Sequence, residues 1–240
     1  MSIFSENRST LKEIWSTSFH LYQKSLFRVW PIVAISCIVL MTSLLINKTY
    51  ETTGVDFKFT TSLMSASLFL ANIYLTSLLL LKIHDIGTDK EKSWKDLSII
   101  INKRLLKLVS TTIIVLISYF IGIIAFVLPG IFLFILFAMV QPLILFDDHG
   151  IIDSIKGSVK LVWKNWWRTF VAIFPILLIG IWISFFTNYA IEHRILYIFL
   201  INSITGVLLY PFFYACMIII FNDLKIRKKE APIAIKTKAI

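Results

Sequence analysis

Residues 108–146 read LVSTTIIVLISYFIGIIAFVLPGIFLFILFAMVQPLILF, 39 positions without an Asp, Glu, Lys, Arg or His. As one straight helix this run would extend about 58 Å, roughly twice the hydrocarbon thickness of a bilayer. Only Leu128, Pro129 and Gly130 interrupt it. Pro-Gly is a strong chain-reversal signal. The run therefore predicts a helical hairpin, with one span over 108–127 and a second over 130–146.

Outward from this hairpin, span-length apolar runs recur at about 29–46, 62–81, 170–190 and 196–221. The expectation is an all-α, polytopic membrane protein with six transmembrane helices arranged as three hairpins. Residues 1–224 would form one transmembrane domain, and residues 225–240 a basic tail without regular structure. Composition agrees. Of 240 residues, 58% are hydrophobic and 16% charged, with mean hydropathy +0.82. A soluble domain carries about a quarter charged residues.

The chain holds 24 Lys and Arg, and 21 of them fall on one side of this threading. They sit in the N-terminal segment, the 82–107 connection, the 156–168 connection and the tail. Only Lys48, Lys58 and Arg194 fall on the other side. Short loops rich in Lys and Arg stay cytoplasmic, so both termini are expected inside the cell. This topology accounts for the net charge of +10, and no nucleic-acid partner is needed to explain it. The first apolar run starts near residue 29 and is span-length, which speaks against a cleavable signal.

Each hairpin is led by a segment with helical amphipathic spacing. The clearest lies over 151–170, where Ile151, Ile155, Val159, Val162, Trp163, Trp166, Trp167 and Phe170 make an apolar face. Lys156, Lys160, Lys164 and Arg168 follow at four-residue intervals on another face. A basic face beside a Trp-rich apolar one is the pattern of a helix lying at a membrane interface. Similar segments precede the first span, with Leu11, Ile14, Trp15 and Tyr22, and the third span, with Trp94, Leu97 and Ile101. Ser18, Leu21, Lys24 and Arg28 align with Ser158, Leu161, Lys164 and Arg168 at a constant offset, a hint of a parallel internal repeat. The expected partners are membrane lipids with anionic headgroups, with a membrane-protein partner as a further possibility.

No ionisable residue falls in the middle of a proposed span, which argues against an ion-coupled pump. The polar residues in the spans are few, chiefly Asn72, Gln141 and Asn202. Pro142, Pro175 and Pro211 each remove a helical hydrogen bond. Three broken helices could outline a cavity, and tolerated kinks in a packed bundle are the plainer expectation. The pairs Ser67/Ala71 and Ser118/Gly122 suit close helix contact. Cys37 and Cys216 lie within spans and read as packing residues. The four histidines are scattered. Asp147, Asp148, His149 and Asp153 cluster after the fourth span, where helix capping is favoured over a metal site. No catalytic, cofactor-binding or metal-ligating pattern emerges, and the chain is expected not to be an enzyme.

Over 128–168 the chain resembles the YciC-like family of uncharacterised bacterial inner-membrane proteins. The residues that carry the likeness are Pro129-Gly130-Ile131, Pro142, Gly150-Ile151, Ser154-Ile155, Ser158-Val159-Lys160-Leu161, Trp163 and Asn165. The same order is distantly similar to the membrane domain attached to some glycerophosphodiester phosphodiesterases, whose catalytic domain has no counterpart here. The resemblance implies a multi-pass inner-membrane location and supplies no catalytic residue. The leading functional expectation is non-enzymatic envelope organisation through lipid or partner binding. The alternative is a transporter or lipid-translocating protein whose path runs by Asn72, Gln141 and Asn202.

Overall fold

Apolar runs with few breakers fold as long helices, and the computed structural model, which describes residues 3–4, 7–53, 58–90, 92–190 and 195–237, is built from them. In chain order they are α1 (Leu11–Thr53), α2 (Lys58–Gly87), α3 (Trp94–Ala125), α4 (Val127–Leu136), α5 (Val140–Asp147), α6 (Ile151–Val162), α7 (Trp166–Ala190) and α8 (Ile195–Thr237). A single 3₁₀ turn, Trp163–Asn165, joins α6 to α7. No strand occurs among the described residues.

Five stretches are long and apolar enough to cross a membrane: Ser62–Gly87, Trp94–Ala125, Val127–Asp147, Ile151–Thr187 and Ile204–Lys229. The sixth expected span, 29–46, belongs to α1, and most of its side chains beyond residue 39 lie outside the described ones. The apolar window of α3 is only 17% buried, which leaves most of its hydrophobic surface facing outward. Phe126, Leu128, Ile124 and Trp182 are all exposed. An exterior of this kind suits hydrocarbon, where helices satisfy their backbone internally.

The hairpin at the Pro-Gly signal is present, with its reversal one step earlier than the motif. Phe126 is extended (φ −171°, ψ 149°) between α3 and α4, and Pro129 and Gly130 stand in the first turn of α4. Proline is tolerated there because the first-turn N–H groups have no partner in the helix. Gly130 matters for packing. A Cβ on it would approach Ile123 Cγ1 to 2.6 Å, and one on Gly122 would reach the Gly130 Cα at 3.0 Å. The two helices therefore meet backbone to backbone, as small residues allow in membranes. Of the expected small pairs, Gly122 serves this contact, whereas Ser67 is exposed and bonds its own helix at Met64 O.

The structure bears on three further expectations. The leading segments of the first and second hairpins are not separate helices: α1 and α3 run from amphipathic segment into apolar run without a break. A Thr10–Glu13 capping box starts α1, with Thr10 N donating to Glu13 Oε2 at 2.6 Å and Glu13 N to Thr10 Oγ1 at 3.2 Å. Of the three prolines, only Pro142 accompanies an interruption. It lacks the N–H that would bond Ala138 O, and the chain is non-helical over 137–139 between α4 and α5. Helices α7 and α8 continue through Pro175 and Pro211. The boundary expected at residue 225 falls inside α8, which runs on to Thr237.

The core sits where α1 packs along α2 and α8, with α7 against α8. Ile14, Leu21, Leu80, Ile83, Ile220 and Leu224 are fully buried there. The α3–α4 hairpin flanks this bundle, in contact with α2, α5, α6 and α7. Cys37 and Cys216 are both buried and in no disulfide.

Candidate lipid-facing surface

Helix α6 settles on its neighbours by a face of small residues. Ser154, Ser158, Leu161 and Val162 are buried. Gly157 lets α5 come close, since a Cβ there would lie 3.0 Å from Leu143 Cδ1. Ser158 repairs the break caused by Pro142. Its Oγ donates to Leu136 O at 2.7 Å and accepts the Met139 N–H at 3.2 Å, two backbone groups the interrupted ladder leaves without partners.

With serine inward, part of the apolar stripe stays outside. Ile152 is 63% exposed, Trp163 61% and Trp167 72%. Lys156, Lys160 and Lys164 are exposed beside them and make no ion pair or hydrogen bond among the described residues. Trp166 departs from this surface. It is half-buried, stacks on Phe132 and Phe170, and donates its Nε1–H to Phe132 O at 3.2 Å.

Arg168 also departs from it, against expectation. Its Nε donates to Asp223 Oδ2 at 2.8 Å, and Arg227 Nε reaches the same oxygen at 2.8 Å. The Asp223 side chain is 1% exposed. A buried carboxylate needs such partners, because charge desolvated without them is strongly unfavourable. Arg168 therefore belongs to the interior, and the lipid-facing set shrinks to three lysines.

Several other basic residues at this end are matched by acids. Lys24 meets Asp89 at 2.6 Å, Lys225 meets Asp147 at 2.8 Å, and Asp148 takes both Arg104 (3.2 Å) and Lys107 (3.0 Å). Asp89 and Asp148 both adopt left-handed backbone, φ 53° and 54°, a conformation Asp tolerates better than most residues. The hydrogen bond from Lys24 brings the Asp89 carboxyl down to about 2. The Lys107 hydrogen bond, then the Arg104 charge, lowers that of Asp148. The expected capping role thus fails for Asp147 and Asp148, whose carboxylates serve ion pairs. The N-cap of α6 is Gly150, and Asp153 sits exposed in its first turn. Among the described residues no three His, Cys, Asp or Glu side chains are grouped as a metal ion would require.

Of the polar residues expected in the spans, Gln141 is brought to α2, where its Nε2 donates to Ser77 Oγ at 3.2 Å. Asn72 lies a turn and a half earlier on α2, half-buried. The side chain of Asn202 is outside the described residues. The aligned repeat positions share their burial, Ser18 and Leu21 in α1 matching Ser158 and Leu161 in α6. The clasp of Asp223 by two arginines had no signal in the sequence beyond the presence of an acid in an apolar stretch.

A model of an uncharacterised protein family, UPF0259, matches residues 41–221. Neither curated proteins nor solved structures give a match.

Proposed function

Since the chain belongs to UPF0259, the uncharacterised, YciC-like family that residues 128–168 resembled, membership brings no activity with it, and we propose one from the surface of α6. The protein is a multi-pass bacterial inner-membrane protein that supports the envelope without catalysis, by engaging anionic lipid headgroups on the cytoplasmic side. One observation carries this reading. At the basic end, where acids neutralise Lys24, Arg104, Lys107, Arg168, Lys225 and Arg227, Lys156 and Lys160 of α6 and Lys164 of the following 3₁₀ turn remain exposed beside outward-facing Ile152, Trp163 and Trp167. Aromatic rings favour the headgroup level, and each lysine near an anionic leaflet contributes about 1 kcal/mol. Lys12 on α1 and Lys95 and Lys103 on α3 are likewise exposed and add to the same field.

A transport path by Gln141 is less favoured, because the Gln141 amide already donates to Ser77. The test is complementation of a deletion strain by the Lys156→Glu, Lys160→Glu, Lys164→Glu chain. Loss of envelope function with normal membrane insertion is expected. Full complementation would reduce α6 to an anchor.

A further inference from the structure

The reversal from α3 to α4 carries no polar side chain: residues 120–131 read FIGIIAFVLPGI. The two reversals expected on the same side of the membrane are charged, with Asp56 and Lys58 in one and Glu192 and Arg194 in the other. The apolar turn nonetheless faces outward. Ile124 is 83% exposed, Phe126 77%, Val127 64% and Leu128 76%. A contiguous apolar surface of this kind is rarely left in water. Charge fixes the opposite end of the hairpin. Lys107 meets Asp148 at 3.0 Å, and Arg104 Nη1 donates to Leu145 O at 2.5 Å. Such groups stay at or beyond the edge of the hydrocarbon. From Leu108 to Ala125, α3 then extends about 27 Å at 1.5 Å per residue. The hydrocarbon is about 30 Å thick, and the bilayer with its headgroups about 40–45 Å. Even an upright hairpin stops short of the far water, and tilt brings its tip deeper.

We infer that the α3–α4 tip ends inside the bilayer, at the boundary between acyl chains and headgroups of the opposite leaflet. Phospholipid of that leaflet covers Phe126, Val127 and Leu128. The backbone of the turn suits this depth. A helix start leaves four N–H groups open. Here Pro129 has none to satisfy, and the Gly130 N–H donates to Phe126 O at 3.4 Å. The Phe126 N–H is also used, on Gly122 O at 3.0 Å. The first N–H groups of α4 lie at the level where headgroup ester carbonyls can accept, so the turn need not carry unpaired donors into hydrocarbon. The inference is independent of headgroup binding at α6.

Nitroxide labels on Phe126→Cys and Leu128→Cys test it, with the full chain in dioleoyl phosphatidylcholine nanodiscs. Power-saturation EPR reads each label's collisions with oxygen, which partitions into lipid, and with a neutral, water-soluble nickel chelate. Lys103→Cys, at an exposed position of α3 before Lys107, marks water, and Ile117→Cys, exposed midway along the apolar part of α3, marks hydrocarbon. Cys37 and Cys216 are buried and stay, and the unmodified chain taken through the labelling gives the background. Both tip labels are expected to meet nickel several-fold less often than Lys103→Cys and to meet oxygen more often. Nickel contact at the tip as frequent as at Lys103→Cys puts the turn in water and overturns the inference. Infrequent contact with both reagents means that protein covers the tip, and overturns it too. The altered side chains are exposed, so their loss removes little packing, and Val127→Cys replaces either variant that fails to insert.

Discussion

Two serines one turn apart on α6 show how a single hydroxyl can matter. Ser158 Oγ bridges Leu136 O and the Met139 N–H, whereas Ser154 Oγ bonds only Ile151 O within its own turn. Ser158→Ala leaves two buried backbone groups unpaired, each worth about 1–3 kcal/mol. Thermal unfolding in nanodiscs should show a clear drop for Ser158→Ala and almost none for Ser154→Ala; equal shifts would contradict the bridging role. Arg168 makes a second contrast at this scale. Arg168→Gln should lower the unfolding temperature through the loss of its pair with Asp223, whereas Lys160→Gln, on an exposed side chain, should not. Asp148 carries the pH prediction. Its folded-state pKa is lowered, so its contribution to stability is present above the unfolded value and is lost as pH falls through the folded one. Lys107→Gln should move the Asp148 carboxyl midpoint upward, which carboxyl-resolved NMR titration can follow. None of these roles was legible in the sequence. Arg168 lies 55 positions from its partner Asp223 and continues the spacing of Lys156, Lys160 and Lys164 without interruption.

Among the elements, the α3–α4 hairpin depends on one point of closest approach. Gly130→Val forces a side chain into Ile123 and the facing backbone, a strain of about 1–3 kcal/mol for overpacking. Gly180→Ala is the control, because its Cβ would meet only Leu209 Cδ1 at an ordinary 3.6 Å, and alanine in a helix is favoured over glycine by about 1 kcal/mol. Unfolding in nanodiscs should fall for the first and hold or rise for the second. The hairpin itself was readable, since 39 uncharged positions and one Pro-Gly leave little else. The inner face of α6 was not. Its apolar stripe pointed to a membrane interface and left open which face meets the protein; the break at 137–139 presents unpaired polar backbone to α6, and that selects the serine face. Continuity of α1 through Pro31 was equally hidden, as hydropathy carries no information on whether a leading segment bends away from its span.

For the whole molecule, charge asymmetry predicts the topology, and the folded chain divides that charge into paired and unpaired residues. Reporter fusions after residues 54 and 192 should read outside the cytoplasm and fusions at both termini inside; an inside reading at 54 would overturn the orientation. Acids pair with six of the basic residues at one end, and the stretch from α6 into α7 keeps three lysines together with Ile152, Trp163 and Trp167 on its outer surface. The division between paired and unpaired lysines needed the folded chain, because the partners Asp89, Asp147, Asp148 and Asp223 come from three different connections and helices. The most direct measurement extracts the protein in native lipid discs without detergent and quantifies the co-purified lipids by mass spectrometry, for the unmodified chain and for Lys156→Glu, Lys160→Glu, Lys164→Glu. Anionic lipid enriched over the bulk membrane in the first, and reduced to the bulk proportion in the second, is the predicted result. Identical lipid profiles from two equally folded chains would contradict headgroup binding by α6.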